Sequence, residues 1–134
     1  MKLNTTILLT FLLSLISCSM LGNDSNKSTI VGEWEWLKST GGFAGHTITP
    51  DSTGYSEQHL HFGPDDEFLF FRADTMITSG QYSLSKGSEK IMIKYSTGDA
   101  PHLSDQWVEF NNNDTLVLRD RCADCYTSTY KRKN

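Results

Sequence analysis

Alternation is the feature that most constrains this chain. In Ile30-Val31-Gly32-Glu33-Trp34-Glu35-Trp36-Leu37, the side chains of Ile30, Trp34 and Trp36 fall on one face and those of Glu33 and Glu35 on the other. A two-residue period belongs to a strand with one buried and one wet side. Further short segments of the same kind follow at residues 55–62, 67–73, 76–84, 89–95, 105–110, 115–119 and 125–132. The segments at 55–62, 89–95 and 125–132 alternate clearly. Residues 67–73 are dense in phenylalanine, so their inward parity stays open between Phe68/Phe70 and Leu69/Phe71. Gly80 marks a bulge or bend in its strand.

The connections sharpen this pattern. Gly63-Pro64-Asp65-Asp66, Ser85-Lys86-Gly87-Ser88 and Asn111-Asn112-Asn113-Asp114 are turn sequences. Residues 39–54 and 96–104 are longer and looser, and Asp120 to Asp124 makes a further connection. Short links favour antiparallel neighbours. Eight such strands and no amphipathic helix of useful length give an all-β fold, an eight-stranded antiparallel up-and-down barrel. A two-sheet β-sandwich is the alternative.

The first residues read as delivery. Lys2 is a minimal positive region, and residues 7–16 are apolar but too short to span a bilayer. Leu15-Ile16-Ser17-Cys18 resembles the lipobox of bacterial lipoproteins. That resemblance implies a signal peptide over 1–17, lipidation of Cys18, and attachment to the cell envelope. Ser19 after the cysteine favours the outer membrane. Two acyl signals suffice for stable anchoring, and a lipidated N-terminal cysteine carries more than two. Residues 21–29 are polar and aperiodic, so 18–29 reads as a lipidated cysteine and flexible tether, and 30–134 as the domain.

Net charge is −4 over the whole chain; removing 1–17 takes away one lysine and no acid, leaving −5. No basic run precedes Lys131-Arg132-Lys133, which argues against a nucleic-acid partner. In an exported protein Cys122 and Cys125 read as a disulfide. A thioredoxin-like site would need a helix after its C-x-x-C, and Tyr126-Thr127-Ser128-Thr129-Tyr130 is strand-like instead.

Gly32-Glu33-Trp34 resembles the G-x-W signature on the first strand of lipocalins. With the lipobox, the Gly-rich Gly41-Gly42-Phe43-Ala44-Gly45 and the tyrosine-rich last strand, the chain is similar to short lipocalin-like lipoproteins of Bacteroidetes-type bacteria. The resemblance implies that Trp34 closes the barrel floor and that a late arginine packs over it, with Arg132 the first candidate and Arg119 the second. The chain is shorter than a typical lipocalin and lacks the long C-terminal helix.

Strand bookkeeping puts the tight turns at the floor with Trp34. The long loops then gather at the opposite mouth, and loops carry function more often than scaffold. Ligand-binding candidates there are Phe43, His46, His102 and an inward Arg72, whose guanidinium suits a ligand carboxylate. His46 and His102 with Asp99 or Asp105 would make zinc ligands if they met. His59 and His61 face solvent because Leu60 and Phe62 claim the core. No G-x-S-x-G, H-E-x-x-H or phosphate loop is present, so no catalytic residue and no cofactor is assigned. The expected function is binding a small hydrophobic ligand. A protein-binding barrel, such as a periplasmic inhibitor or accessory subunit of the envelope, is the alternative, and a metal-dependent enzyme the third reading. In cells fed labelled palmitate, the protein should carry label and sediment with membranes, and Cys18→Ser should abolish both.

Overall fold

The first strand and the last strand pair with each other, and that pairing closes the sheet. The computed structural model describes residues 24–54, 57–97 and 103–134. Their elements are α1 (Asp24–Ile30), β1 (Gly32–Gly41), β2 (His46–Ile48), α2 (Pro50–Thr53), β3 (Gln58–Phe62), β4 (Glu67–Arg72), β5 (Thr75–Lys86), β6 (Ile91–Thr97), β7 (Gln106–Asn111), β8 (Thr115–Asp120) and β9 (Thr127–Arg132). The sheet order is β2-β1-β3-β4-β5-β6-β7-β8-β9, with β1 also joined to β9, and every pairing is antiparallel. Eight strands form the closed barrel. β2 stands outside the count, as a short partner of the end of β1. The sandwich alternative falls away, because its two sheets would leave edges that this closed ladder does not have. The signal peptide and Cys18 lie outside the described residues.

The boundaries differ from the sequence expectation in instructive ways. Residues 24–29, read as tether, belong to α1, and Ile30 ends that helix rather than starting β1. Ile30 is nonetheless fully buried, because α1 turns it under the barrel. β2 and α2 lie within the segment read as loop, since alternation is invisible over three residues. The bulge in β5 is not at Gly80. The register steps from Phe70↔Thr78 to Phe71↔Met76, leaving Ile77 as the extra residue. Gly80 instead makes room: a Cβ there would sit 2.2 Å from the Ser96 carbonyl oxygen.

Inward parity along the strands fills the floor half with apolar groups. Trp34, Phe62, Phe68, Ile93, Leu116 and Leu118 are at most 1% exposed. Burying each such side chain is worth about 1.5–3 kcal/mol. Phe62 and Tyr82 meet edge to face at 5.0 Å, and so do Phe68 and Tyr95. This settles the phenylalanine run: Phe68 is buried and Phe70 packs on the core, while Phe71 stacks on His59 across the outer wall at 4.6 Å.

At the floor, Arg132 gathers three segments. Its Nη1 donates to the Val31 carbonyl at 2.8 Å, its Nη2 to Thr29, and its Nε to Asn113 at 2.8 Å. Its guanidinium carbon lies 4.2 Å from the centre of the Trp34 ring. Trp34 Nε1 donates to the Ile30 carbonyl at 2.7 Å. The last carbonyls of a helix lack partners within it, and here the indole and the guanidinium supply them. Gly32 makes the arrangement possible. Its φ is +135°, and a Cβ would lie 2.5 Å from Arg132 Nη1. Lys27 adds an ion pair from α1 to Asp66 at 2.8 Å. Arg132→Lys should lose about 3 kcal/mol, because one ammonium cannot serve three carbonyls and stack as well. Gly32→Ala should lose a comparable amount, and urea unfolding of the two variants measures both.

Candidate functional site

β1, β5, β7 and β9 have their mouth ends where the long connections gather, and two of the inserted pieces help to close the barrel. β2 and α2 follow the β1 hairpin, and Ile48 packs down against the core. Leu103, from the connection into β7, packs on the core as well. A hollow of about 320 Å³ remains between β1, β2, α2, β3, β4 and β9. Trp36, Ile48, Tyr126 and Tyr130 give it apolar walls, and Ser39, Thr53, Gln58 and Ser128 give it polar ones. Among the described residues that line it, Arg72 is the one with an ionised side chain. This volume falls at the small end of ligand pockets.

Each lining residue is placed by strand parity. Gln58 continues the inward set of Leu60 and Phe62, and it stands opposite Arg72, which continues that of Phe68 and Phe70. Tyr130 is buried against the core, and Ser128 and Tyr126 line the hollow above it. Ser39 is aimed inward because β1 slips register between Trp36 and Lys38. Trp36 Nε1 donates to Ser39 Oγ at 2.9 Å, and Ser39 shares a 2.7 Å hydrogen bond with Ser128 Oγ. Across the interior, Tyr95 donates to Gln106 Oε1 at 3.0 Å, and Gln106 Nε2 donates to Asp120 at 2.7 Å. The Thr78 hydroxyl is buried without a hydrogen-bond partner among the described residues. The barrel interior is thus apolar at the floor and hydrogen-bonding toward the mouth.

Burial controls the tyrosines. It raises Tyr130 to about 12, with the Asp120 carboxylate adding to the effect and the Ser128 hydrogen bond opposing it. Tyr95 is pushed well above its usual value by burial, then by Tyr130 and Asp120. Tyr82, bonded to the Gly63 carbonyl at 3.1 Å, is raised to about 12 by burial and Asp66.

The cysteine connection is fixed from both sides. Cys122 and Cys125 are disulfide-bonded with Cα atoms 5.3 Å apart, and the Asp120 N–H donates to the Tyr126 carbonyl at 3.1 Å. A Cβ on Gly41 would lie 2.3 Å from the Cys125 carbonyl oxygen, so the β1 hairpin can pack there only through glycine. Arg121 pairs with Asp105 at 3.6 Å and lies 5.5 Å from the Trp107 ring. The disulfide thereby holds Tyr126 at the edge of the hollow.

Of the residues singled out from sequence, Arg72 lines the hollow. Phe43 sits at the tip of the β1–β2 hairpin, 97% exposed, and His46 is exposed on β2; neither lines it. His102 and Asp99 lie outside the described residues. Among the described residues, no group of three or more His, Cys, Asp or Glu could hold a metal ion. Gln58 and Tyr126 were legible by parity with Leu60 and Tyr130, but Ser39 was not, because the register slip hides it. A second cleft, about 500 Å³, opens on the outer wall beside Trp107 at the β6–β7 seam, where only three residue pairs join the strands. Lys90 and Arg121 already lie over that indole, 5.9 and 5.5 Å from its centre. The mouth is the better candidate because its groups converge from five strands around a single cation.

No protein-family model matches the chain, nor does any curated protein or any solved structure.

Because the folded state holds the protons of Tyr82, Tyr95 and Tyr130 beyond pH 10, the stability they contribute is complete below pH 10. For Tyr82 and Tyr130 it is lost as pH rises through about 12. Absorbance at 295 nm should show these three of the five tyrosines ionising late, together with unfolding.

Proposed function

We propose that this protein is a lipid-anchored, lipocalin-like protein of the bacterial cell envelope, sited at the outer membrane, that binds a small hydrophobic ligand at the barrel mouth. The observation that carries the reading is the contrast between the two ends. The floor is packed shut around Trp34, whereas the mouth keeps a hollow with aromatic walls and one guanidinium. Mostly apolar linings with a few placed polar groups are the common form of small-molecule sites. The anchor is compatible with this. α1 enters at the floor, so a lipid on Cys18, at most about 20 Å of chain away, leaves the mouth turned from the bilayer. The G-x-W resemblance supports the family assignment through the Gly32, Trp34 and Arg132 contacts.

One observation favours the protein-binding alternative. Among the described residues, the exposed large hydrophobic side chains are Leu37, Phe43, Met76, Ile77 and Tyr126, and none of these is at the floor. A phenylalanine at 97% exposure suits a contact tip. The two readings separate cleanly. Native mass spectrometry of the purified protein should show a bound small molecule at one per chain, retained in Phe43→Ser and lost in Tyr126→Ala. A bound protein lost in Phe43→Ser, with an empty hollow, would favour the alternative.

A further inference from the structure

We propose that the protein associates head to tail with a second copy of itself, the Phe43 ring of one chain entering the outer-wall cleft between β6 and β7 of the next. This stands apart from whatever the mouth hollow holds. It rests on a hole, a knob and the charges around them.

The hole comes from the early end of one ladder. β6 and β7 pair only from Ile93↔Gln106 to Ile91↔Val108, so Glu109, Phe110 and Asn111 are joined to the sheet on the β8 side alone. Ile91 and Phe110 share the inward face of Val108 and pack on the core, and Phe110 meets Trp34 with ring centres 6.5 Å apart. Both are nonetheless only half-buried, whereas Val108 between them is 5% exposed. The cleft of about 500 Å³ at this gap therefore has core side chains for its base, with Val117 of β8 at its edge. An apolar cavity of about 150 Å³ is room enough for a benzene ring. Lys90 and Arg121 already lie over Trp107, so the ring enters beside that indole, against Ile91, Val108, Phe110 and Val117.

The knob is the tip of the β1–β2 hairpin. Phe43 is 97% exposed, the most of any large apolar side chain among the described residues. Gly42, Ala44 and Gly45 beside it carry nothing larger than a methyl group, so the ring can enter a cleft without its neighbours striking the rim. The cleft of its own chain is out of reach. β9 and β8 stand between β1 and β7 in the sheet, and the hairpin projects at the mouth while the cleft opens beside the floor turn that precedes β6.

Charge points to the occupant. No acidic, lysine or arginine side chain lies between Lys38 and Asp51, so the hairpin approaches as a neutral body. The cleft sets Glu89 and Glu109 against Lys90 and Arg119 and carries no net charge. Two copies of a chain with net charge −4 repel each other in general, and these are two surfaces that can meet without adding to that repulsion. A side chain and a hairpin tip cover less than the roughly 1,200 Å² that stable interfaces bury, so the contact is weak and reversible. Because the two surfaces differ, each pair leaves one knob and one hole unused, and association continues into rings or chains.

The test is photocrosslinking in cells that make the full chain. In one copy p-benzoylphenylalanine replaces Phe43, and a second copy of unaltered sequence carries a tag that separates the two by mass. Irradiation should give a band at the summed mass of the two copies, with the crosslink mapping to residues 89–119 of the tagged copy. Val117→Lys in the tagged copy, which puts a charge at the apolar edge of the cleft, should remove that band. The map on the unaltered sequence decides the matter even if this variant fails to fold. A crosslink to a different protein, to lipid alone or to another surface of the tagged copy overturns the proposal, and so does the absence of any crosslink. An undiminished band with a folded Val117→Lys copy overturns the cleft as the receiving surface.

Discussion

The contact between Arg132 and Trp34 is the interaction on which the rest of the barrel depends. β9 must end beside the start of β1 for the sheet to close, and the guanidinium lies on the indole at that junction, 4.2 Å from its centre. The same side chain ties down α1 through Thr29, the start of β1 through Val31, and the β7–β8 turn through Asn113. A charged donor shared among three carbonyls satisfies groups that would otherwise be desolvated unpaired. The absence of a Cβ at residue 32 is what lets the guanidinium in. Gly32, Trp34 and Arg132 are therefore one device, not three separate residues.

Once the floor is closed in this way, the interior has a direction. Aromatic and aliphatic side chains pack it from Ile30 upward, and hydrogen-bonded polar groups take over at the height of Ser39, Gln106, Asp120 and Ser128. A packed floor gives stability without ligand and a fixed platform for what lies above it. The mouth is then free to vary. Glycines at 41 and 42, the disulfide and the Arg121–Asp105 pair hold its loops against each other. The rigid end and the chemically varied end lie along the same strands, so the site is built on scaffold rather than on loops alone.

Much of the fold was legible because the signal for a strand is a period of two, and β1, β3 and β9 carry it plainly. The barrel, the floor position of Trp34 and the gathering of long loops at the other end follow from that period and from turn residues. The elements that the sequence hides are hidden for physical reasons. α1 is a single short helix held by partners on other strands, so its sequence has no apolar stripe to show. β2 is three residues long, with two of them exposed. Ser39 turns inward through a register slip that composition does not announce. Phe43 and His46 were credible site residues because they sit in a mouth loop; the hairpin instead carries them outward. Arg72 was legible only conditionally, since four consecutive bulky residues from Phe68 to Phe71 conceal which face is in.

The division between a structural floor and a binding mouth can be tested at three indoles that the chain already places as reporters: Trp34 at the floor, Trp36 at the hollow and Trp107 on the outer wall. Indole N–H resonances in a ¹⁵N-labelled sample, followed during titration with a small hydrophobic ligand, report on all three at once. The account predicts that the Trp36 signal shifts with saturation while those of Trp34 and Trp107 stay in place. A saturating shift confined to Trp107 would move the site to the outer wall, and one at Trp34 would mean that the floor is not the closed platform described.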